Sequence, residues 1–184
     1  MPYLTGFRKD EMRKGDYSKV AGDLNYALTT VIIQYLVRKK LRYQTLNDIV
    51  AALLLATDEF QERVRQPLQF FPGIVQDAIY TVLFAFIEIW KKKELLYRRW
   101  EEPETPHELR HVFTMLIYRY LADNGVSDQT VCDVRGALDL ANKEFCRRIV
   151  YPYEDRAIIK NGDVYPESLL SQVRPISEST KDSQ

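Results

Sequence analysis

Histidine and cysteine are nearly missing from this chain, which holds two of each, and that scarcity narrows its chemistry before any motif is read. Cys132 and Cys146 fall on one predicted helix, about 21 Å apart at about 1.5 Å per residue, far outside disulfide reach. Two thiols that cannot pair suit a reducing cytoplasm, which is the expected location, a host cytoplasm included. An excess of either charge is also missing: Lys+Arg and Asp+Glu balance at 26 each, so no global field recruits nucleic acid or a membrane surface, and partners must be argued from local patches. The most apolar run, Ala78 to Trp90, is shorter than the roughly 18 residues that span a bilayer and carries Glu88. It predicts a buried helix, and no membrane partner is expected. The opening MPYLTGFRKDEM has no apolar signal core, so export is not expected. No stretch alternates convincingly as a strand.

Helical periodicity is what the chain does have. With 184 residues, 46% of them hydrophobic, it can bury one core or two small ones sharing an interface. Leu24, Leu28, Val31, Ile32, Tyr35 and Leu36 form one apolar stripe. Leu46, Ile49, Leu53, Ala56, Phe60 and Val64 form a second, after a basic turn at Arg38 to Arg42. A central helix over 74–97, apolar almost all round between Ala78 and Trp90, should be the most buried element or half of a subunit interface. Leu109, Val112, Phe113, Leu116, Ile117, Tyr120 and Leu121 make a fourth stripe, ended by Asn124-Gly125. Val131, Val134, Leu138, Ala141, Phe145 and Ile149 make a fifth, which Pro152 should stop. The reading is an all-α protein of about six helices in a single domain over 1–165. The polar segment 166–184 is expected to be a flexible tail.

The strongest signal is internal. Displacing the chain by 85 positions pairs Leu24 with Leu109, Tyr35 with Tyr120, Gln44-Thr45 with Gln129-Thr130, Asp48 with Asp133, Glu59-Phe60 with Glu144-Phe145, Arg63 with Arg148 and Pro67 with Pro152, without a gap. Residues 21–67 and 106–152 are two copies of one helical hairpin. Packing alone would favour the apolar identities, but it does not demand Gln-Thr, Asp, Glu, Arg or Pro.

The duplication weighs the most conspicuous motif. TPHELRH, 105–111, contains HExxH, the zinc-peptidase spacing. Yet His107 and His111 align with Gly22 and Tyr26, and no further histidine can complete a zinc site. Thr105, Pro106 and Glu108 predict an ordinary helix start: hydroxyl N-cap, proline at N1 and capping-box glutamate. Lys91-Lys92-Lys93 with Tyr97, Arg98, Arg99 and Trp100 could touch phosphates. Acidic Glu101, Glu102 and Glu104 follow at once, and a solvated helix end explains the cations through the macrodipole. Asp58, Glu59 and Glu62 carry a carboxylate spacing that can hold Mg²⁺. Only Glu59 has an acidic counterpart, Glu144, and exposed pairs with Arg63 and Arg148 explain both.

The segment after Phe145 is richest in polar chemistry. Local rules account for Glu154 and Asp155 in a first helical turn and for Asn161-Gly162 as a positive-φ stop. They do not explain why Arg147, Arg148, Tyr151, Tyr153, Lys160, Asp163 and Tyr165 crowd together. Such a crowd suits a polar ligand or partner, or a clasp tying the last helix to the body.

The initial MPY, AGDLNYALT at 21–29, RYQTLND at 42–48, and GALDLANKEF followed by PYEDRAIIKNGDVY resemble a family of small proteins of bacteriophages, bacteria and archaea to which no activity is attached. In its shorter members these pieces come once each, in that order, within about one hairpin's length. Here the pattern is split: the front survives in copy one and the back in copy two. The resemblance therefore implies an ancestral homodimer whose polar site joined the front of one protomer to the tail of the other, with one such site kept after fusion. Asp23, Asn25 and Tyr26 are then expected beside Arg148, Tyr153, Glu154, Asp155, Lys160, Asp163 and Tyr165, in a phage- or mobile-element-type binding or assembly protein. Its expected partner is a protein or a small polar ligand, with a homo-oligomer allowed, nucleic acid not counted in, and no cofactor or catalytic residue assigned. The enzyme alternative is a metal-dependent all-α nucleotide phosphohydrolase holding Mg²⁺ on Glu59, Glu144 or the Glu154-Asp155 pair. A third reading is nucleic-acid binding through 91–99.

Overall fold

The computed structural model describes residues 20–70, 81, 102–163 and 165. The expected central helix 74–97, the basic segment 91–99 and the tail 166–184 lie outside the described residues, Thr81 aside. Within the described residues the protein is all-α and has no strand. The chain divides into two compact units, 1–145 and 146–184.

The first unit contains α1 (Ala21–Lys39), α2 (Tyr43–Phe60), a π turn (Gln61–Arg65), α3 (Gln66–Phe70), α4 (Pro106–Asn124) and α5 (Asp128–Phe145). The boundaries of α4 and α5 repeat those of α1 and α2 with the displacement read from the sequence. Each apolar stripe faces inward: Leu24, Leu28, Ile32 and Tyr35 on α1, and Leu46, Ile49, Leu53 and Phe60 on α2, are all buried. So are Leu109, Phe113, Ile117 and Leu121 on α4, and Val134, Leu138 and Phe145 on α5. Each large aliphatic group so buried contributes about 1.5–3 kcal/mol.

How the stripes meet is less obvious. The most extensive packing is crosswise, α1 on α5 and α2 on α4, whereas the two helices within either hairpin touch far less. Each hairpin is thus the other's core. At one end Arg38, in the last turn of α1, donates from Nη2 to the Pro103 carbonyl at 3.0 Å, and Lys39 pairs with Glu104. That end of α1 is thereby held against the approach to α4.

The repeated polar residues now have a reason. Tyr35 donates to Asp48 Oδ2 at 3.4 Å while Gln44 donates to Oδ1 at 2.8 Å. In the other copy Tyr120 donates to Asp133 at 2.9 Å and Gln129 at 2.8 Å. Each trio ties the two helices of a hairpin where apolar contact is thin. Burial, reinforced by the Asp48 charge, pushes the Tyr35 phenol up to about 12. Burial and the bond to Asp133 raise Tyr120 as well, with a smaller push from Asp23. Thr130 is buried with its hydroxyl on the Gly125 carbonyl at 2.9 Å.

The second unit begins with a π turn, Cys146–Val150, and continues as α6, Tyr151–Asn161. Helical structure therefore passes through Pro152, where the sequence predicts a stop. Proline collides with the carbonyl four residues back and lacks a donor. Widening the preceding turn to π geometry makes room for the ring and lets the helix go on. Copy one solves the same problem in the same place, with the Gln66 N–H bonded to the Gln61 carbonyl and Pro67 as the second residue of α3. The real stop is Gly162, at φ 89°, with its N–H on the Ile158 carbonyl at 2.8 Å.

The hairpin turns differ in one strained residue. Gly125 follows α4 at φ 77°, and the equivalent residue after α1, Lys40, takes φ 66° and ψ 160°. That region is almost reserved for glycine. Lys40→Gly should raise stability by about 1 kcal/mol, read as a higher urea midpoint at unchanged m. An unchanged or lower midpoint would show that Lys40 is not strained.

Candidate functional site

At the seam between α2 and α4 the two copies share a polar cluster. Glu59 lies near the end of α2, and the π turn that follows carries Arg63. Arg63 Nη1 is 3.3 Å from Glu59 Oε1, and the guanidinium also reaches the phenol of Tyr118, which burial raises above its ordinary value. From α4, Thr114 Oγ1 stands 3.2 Å from Glu59 Oε2 and 3.2 Å from the Arg110 carbonyl, and can donate to one at a time. His111, half-buried one turn earlier, feels the Glu59 charge, but burial dominates and holds its imidazole below the usual range.

The repeat relates this cluster to Tyr26, Thr29, Glu144 and Arg148. There Thr29 donates to the Asn25 carbonyl at 2.8 Å, and Asn25 Nδ2 crosses to the Ala137 carbonyl of α5 at 3.1 Å. Asn25 therefore stitches α1 to α5. Asp23 is fully buried at 0% exposure and accepts the Val20 N–H at 3.3 Å, as Glu108 accepts the Thr105 N–H at 3.2 Å in the other copy. Tyr26 is half-buried. These three candidates occupy the first turns of α1, in the first unit.

The other seven lie in the second unit. Arg148 is exposed on the π turn. Tyr153 and Glu154 are half-buried on α6, where Asp155 and Lys160 are exposed. Asp163 and Tyr165 follow in the bend after Gly162, with the Tyr165 N–H bonded to Asp163 Oδ1 at 2.9 Å. None of the side chains of α6 is buried.

The HExxH segment starts α4 as its local chemistry predicts. Thr105 Oγ1 accepts the Glu108 N–H at 3.2 Å, and Glu108 also takes the Glu104 N–H at 2.7 Å. His107 is exposed. Among the described residues no three His, Cys, Asp or Glu side chains gather to hold a metal ion. Glu59, one of the alternative Mg²⁺ ligands, is engaged by Thr114 and Arg63, and Glu144 stands half-buried on α5.

Sequence reasoning paired Glu59 with Arg63 as an exposed ion pair, but Glu59 is half-buried, and the gathering of Thr114, Tyr118 and His111 around it was not foreseen. The Glu-x-x-x-Arg pair repeated at 59/63 and 144/148 was legible in the sequence, but which side chains of α4 meet it was not.

Because folding holds His111 below its unfolded value, the unfolded chain binds more protons, and stability is lost as pH falls through about 6.5. His111→Gln should flatten the acid side of the stability profile between about pH 7 and about pH 5. Parallel profiles for the two proteins would show that His111 is not held below its usual value.

The family model described as Domain of unknown function (DUF6899) matches residues 1–69 and 88–164. No curated protein and no solved structure matches the chain.

Proposed function

The chain belongs to the DUF6899 family, and from its split motif and crosswise hairpins we propose that it is a binding and assembly module with one polar site at the seam of its two copies. We place it on a phage or other mobile element and in the cytoplasm of the host, following the resemblance of its motifs. Its proposed residues are Asp23, Asn25 and Tyr26 in the first unit and Arg148, Tyr153, Glu154, Asp155, Lys160, Asp163 and Tyr165 in the second. Within it Asp23 and Asn25 act by positioning, since one is buried as a helix cap and the other spans α1 and α5.

The observation that carries a partner-binding role is the state of α6. α6 continues from α5 through the π turn, and none of its residues is fully buried. It half-buries Tyr153 and Glu154 and exposes Tyr151, Ile158 and Ile159, with Tyr165 exposed just beyond it. Apolar residues so displayed on the same side as Glu154 and Asp155 have the composition of a contact surface with a polar rim.

The test is recovery of a partner with the tagged full chain from host cells, identified by mass spectrometry. Tyr153→Ala and Asp163→Ala should each lose the partner that wild type retains, without a change in melting temperature. Glu108→Ala, at the counterpart of Asp23, should keep it despite about 1 kcal/mol lost from its cap. Equal recovery by all three variants would overturn the proposal.

A further inference from the structure

Among the described residues, α1 and α6 each carry an exposed apolar face. The first is on α1, where Ile33 and Val37, one turn apart, are 54% and 73% exposed. The stripe runs on into the hairpin tip, where Leu41 and Tyr43 are exposed as well. The equivalents of Ile33 and Val37 in copy two, Tyr118 and Ala122, are covered to 9% and 8%. The tip is also cationic. Glu102 and Glu104 engage Arg38 and Lys39, but Lys40 and Arg42 are exposed with no ion pair among the described residues.

Local stability does not favour those two cations. Lys40 occupies the backbone position of Gly125, and Arg42 stands where Ser127 caps α5 by accepting the Thr130 N–H at 3.2 Å. Local rules broken together in this way mark a position kept for another purpose.

The second face is on α6. Tyr151, Ile158 and Ile159 are 60%, 40% and 86% exposed. At about 100° per residue Glu154 and Asp155 fall on their side of the helix, and Arg156 and Lys160 on the opposite side. One face is thus aliphatic and basic at its end, the other aliphatic and acidic.

We propose that the occupant of the α1 face is a second copy of this chain, whose α6 lays its apolar, acidic side along the α1 stripe and basic tip. The inference rests on the assembly reading and identifies what is assembled. A nucleic-acid backbone would match the cations but not the stripe, and two unpaired cations are few beside the about six to ten phosphate contacts that give strong binding. The contact joins different surfaces of the two copies, so it either closes reciprocally or propagates.

The experiment is light scattering of the purified full chain across rising concentration. Wild type should associate, and added salt should weaken it. The charge reversals K40E/R42E and E154K/D155K should each reduce association by at least about tenfold. An equimolar mixture of the two variants should restore it, because each reversed tip then meets a reversed α6. Helical content and melting temperature should hold, since Lys40, Arg42 and Asp155 are exposed and Glu154 half-buried. Wild type that stays monomeric, association indifferent to the reversals, or a mixture that fails to restore it would each overturn the inference. Should any of these occur while Tyr153→Ala and Asp163→Ala still lose the cellular partner, the assembly reading stands and only the identity of the occupant falls.

Discussion

Neither hairpin of this protein has a core of its own. Its helices bury their stripes mainly against the other hairpin, α1 on α5 and α2 on α4, and everything else in the first unit follows from that exchange. A hairpin standing alone would expose most of the side chains now buried, at about 25 cal/mol for each Å² of apolar surface. The two copies are therefore bound to keep matching surfaces even as their other residues drift. That explains why apolar identities persist at the common displacement while the capping residues vary freely. Val20 and Thr105 both precede a capping carboxylate, but only Thr105 adds a hydroxyl cap.

Polar pairs fill in where this packing is thin. The Tyr-Asp-Gln trios brace each hairpin internally, and Thr114 with Glu59 and Arg63 occupies the seam between hairpins. Both arrangements place hydrogen-bonding groups where water is partly excluded, so that each bond is stronger and each unpaired group more costly. The π turns belong to the same economy of geometry. A proline at the same place in each copy forces the helix to widen, and the residue that the widened turn presents is an arginine, Arg63 or Arg148.

Departures from the pseudo-symmetry are as informative as the symmetry. Copy one has a strained, basic, apolar-flanked tip where copy two has a glycine turn with a serine cap. α6 has no fully buried residue, whereas the matching α3 buries Leu68. In a protein whose folding asks its halves to be alike, differences confined to exposed ends point to partners rather than to stability.

Much of this could be read from the residues alone. Helix spans, the caps at Thr105 and Gly162, the all-α class and the duplication depend on spacing of apolar side chains and on backbone preferences within a few residues, which a linear chain displays directly. The expected stop at Pro152 failed because a turn preceding it changed its hydrogen-bonding pattern, something proline's identity does not announce. The burial of Asp23, the bond from Asn25 to Ala137 and the gathering of Thr114, Tyr118 and His111 around Glu59 were likewise invisible. They arise from which surfaces meet across residues far apart in the chain, and only three-dimensional packing makes that choice, since many pairings of equally apolar stripes would satisfy the same local rules.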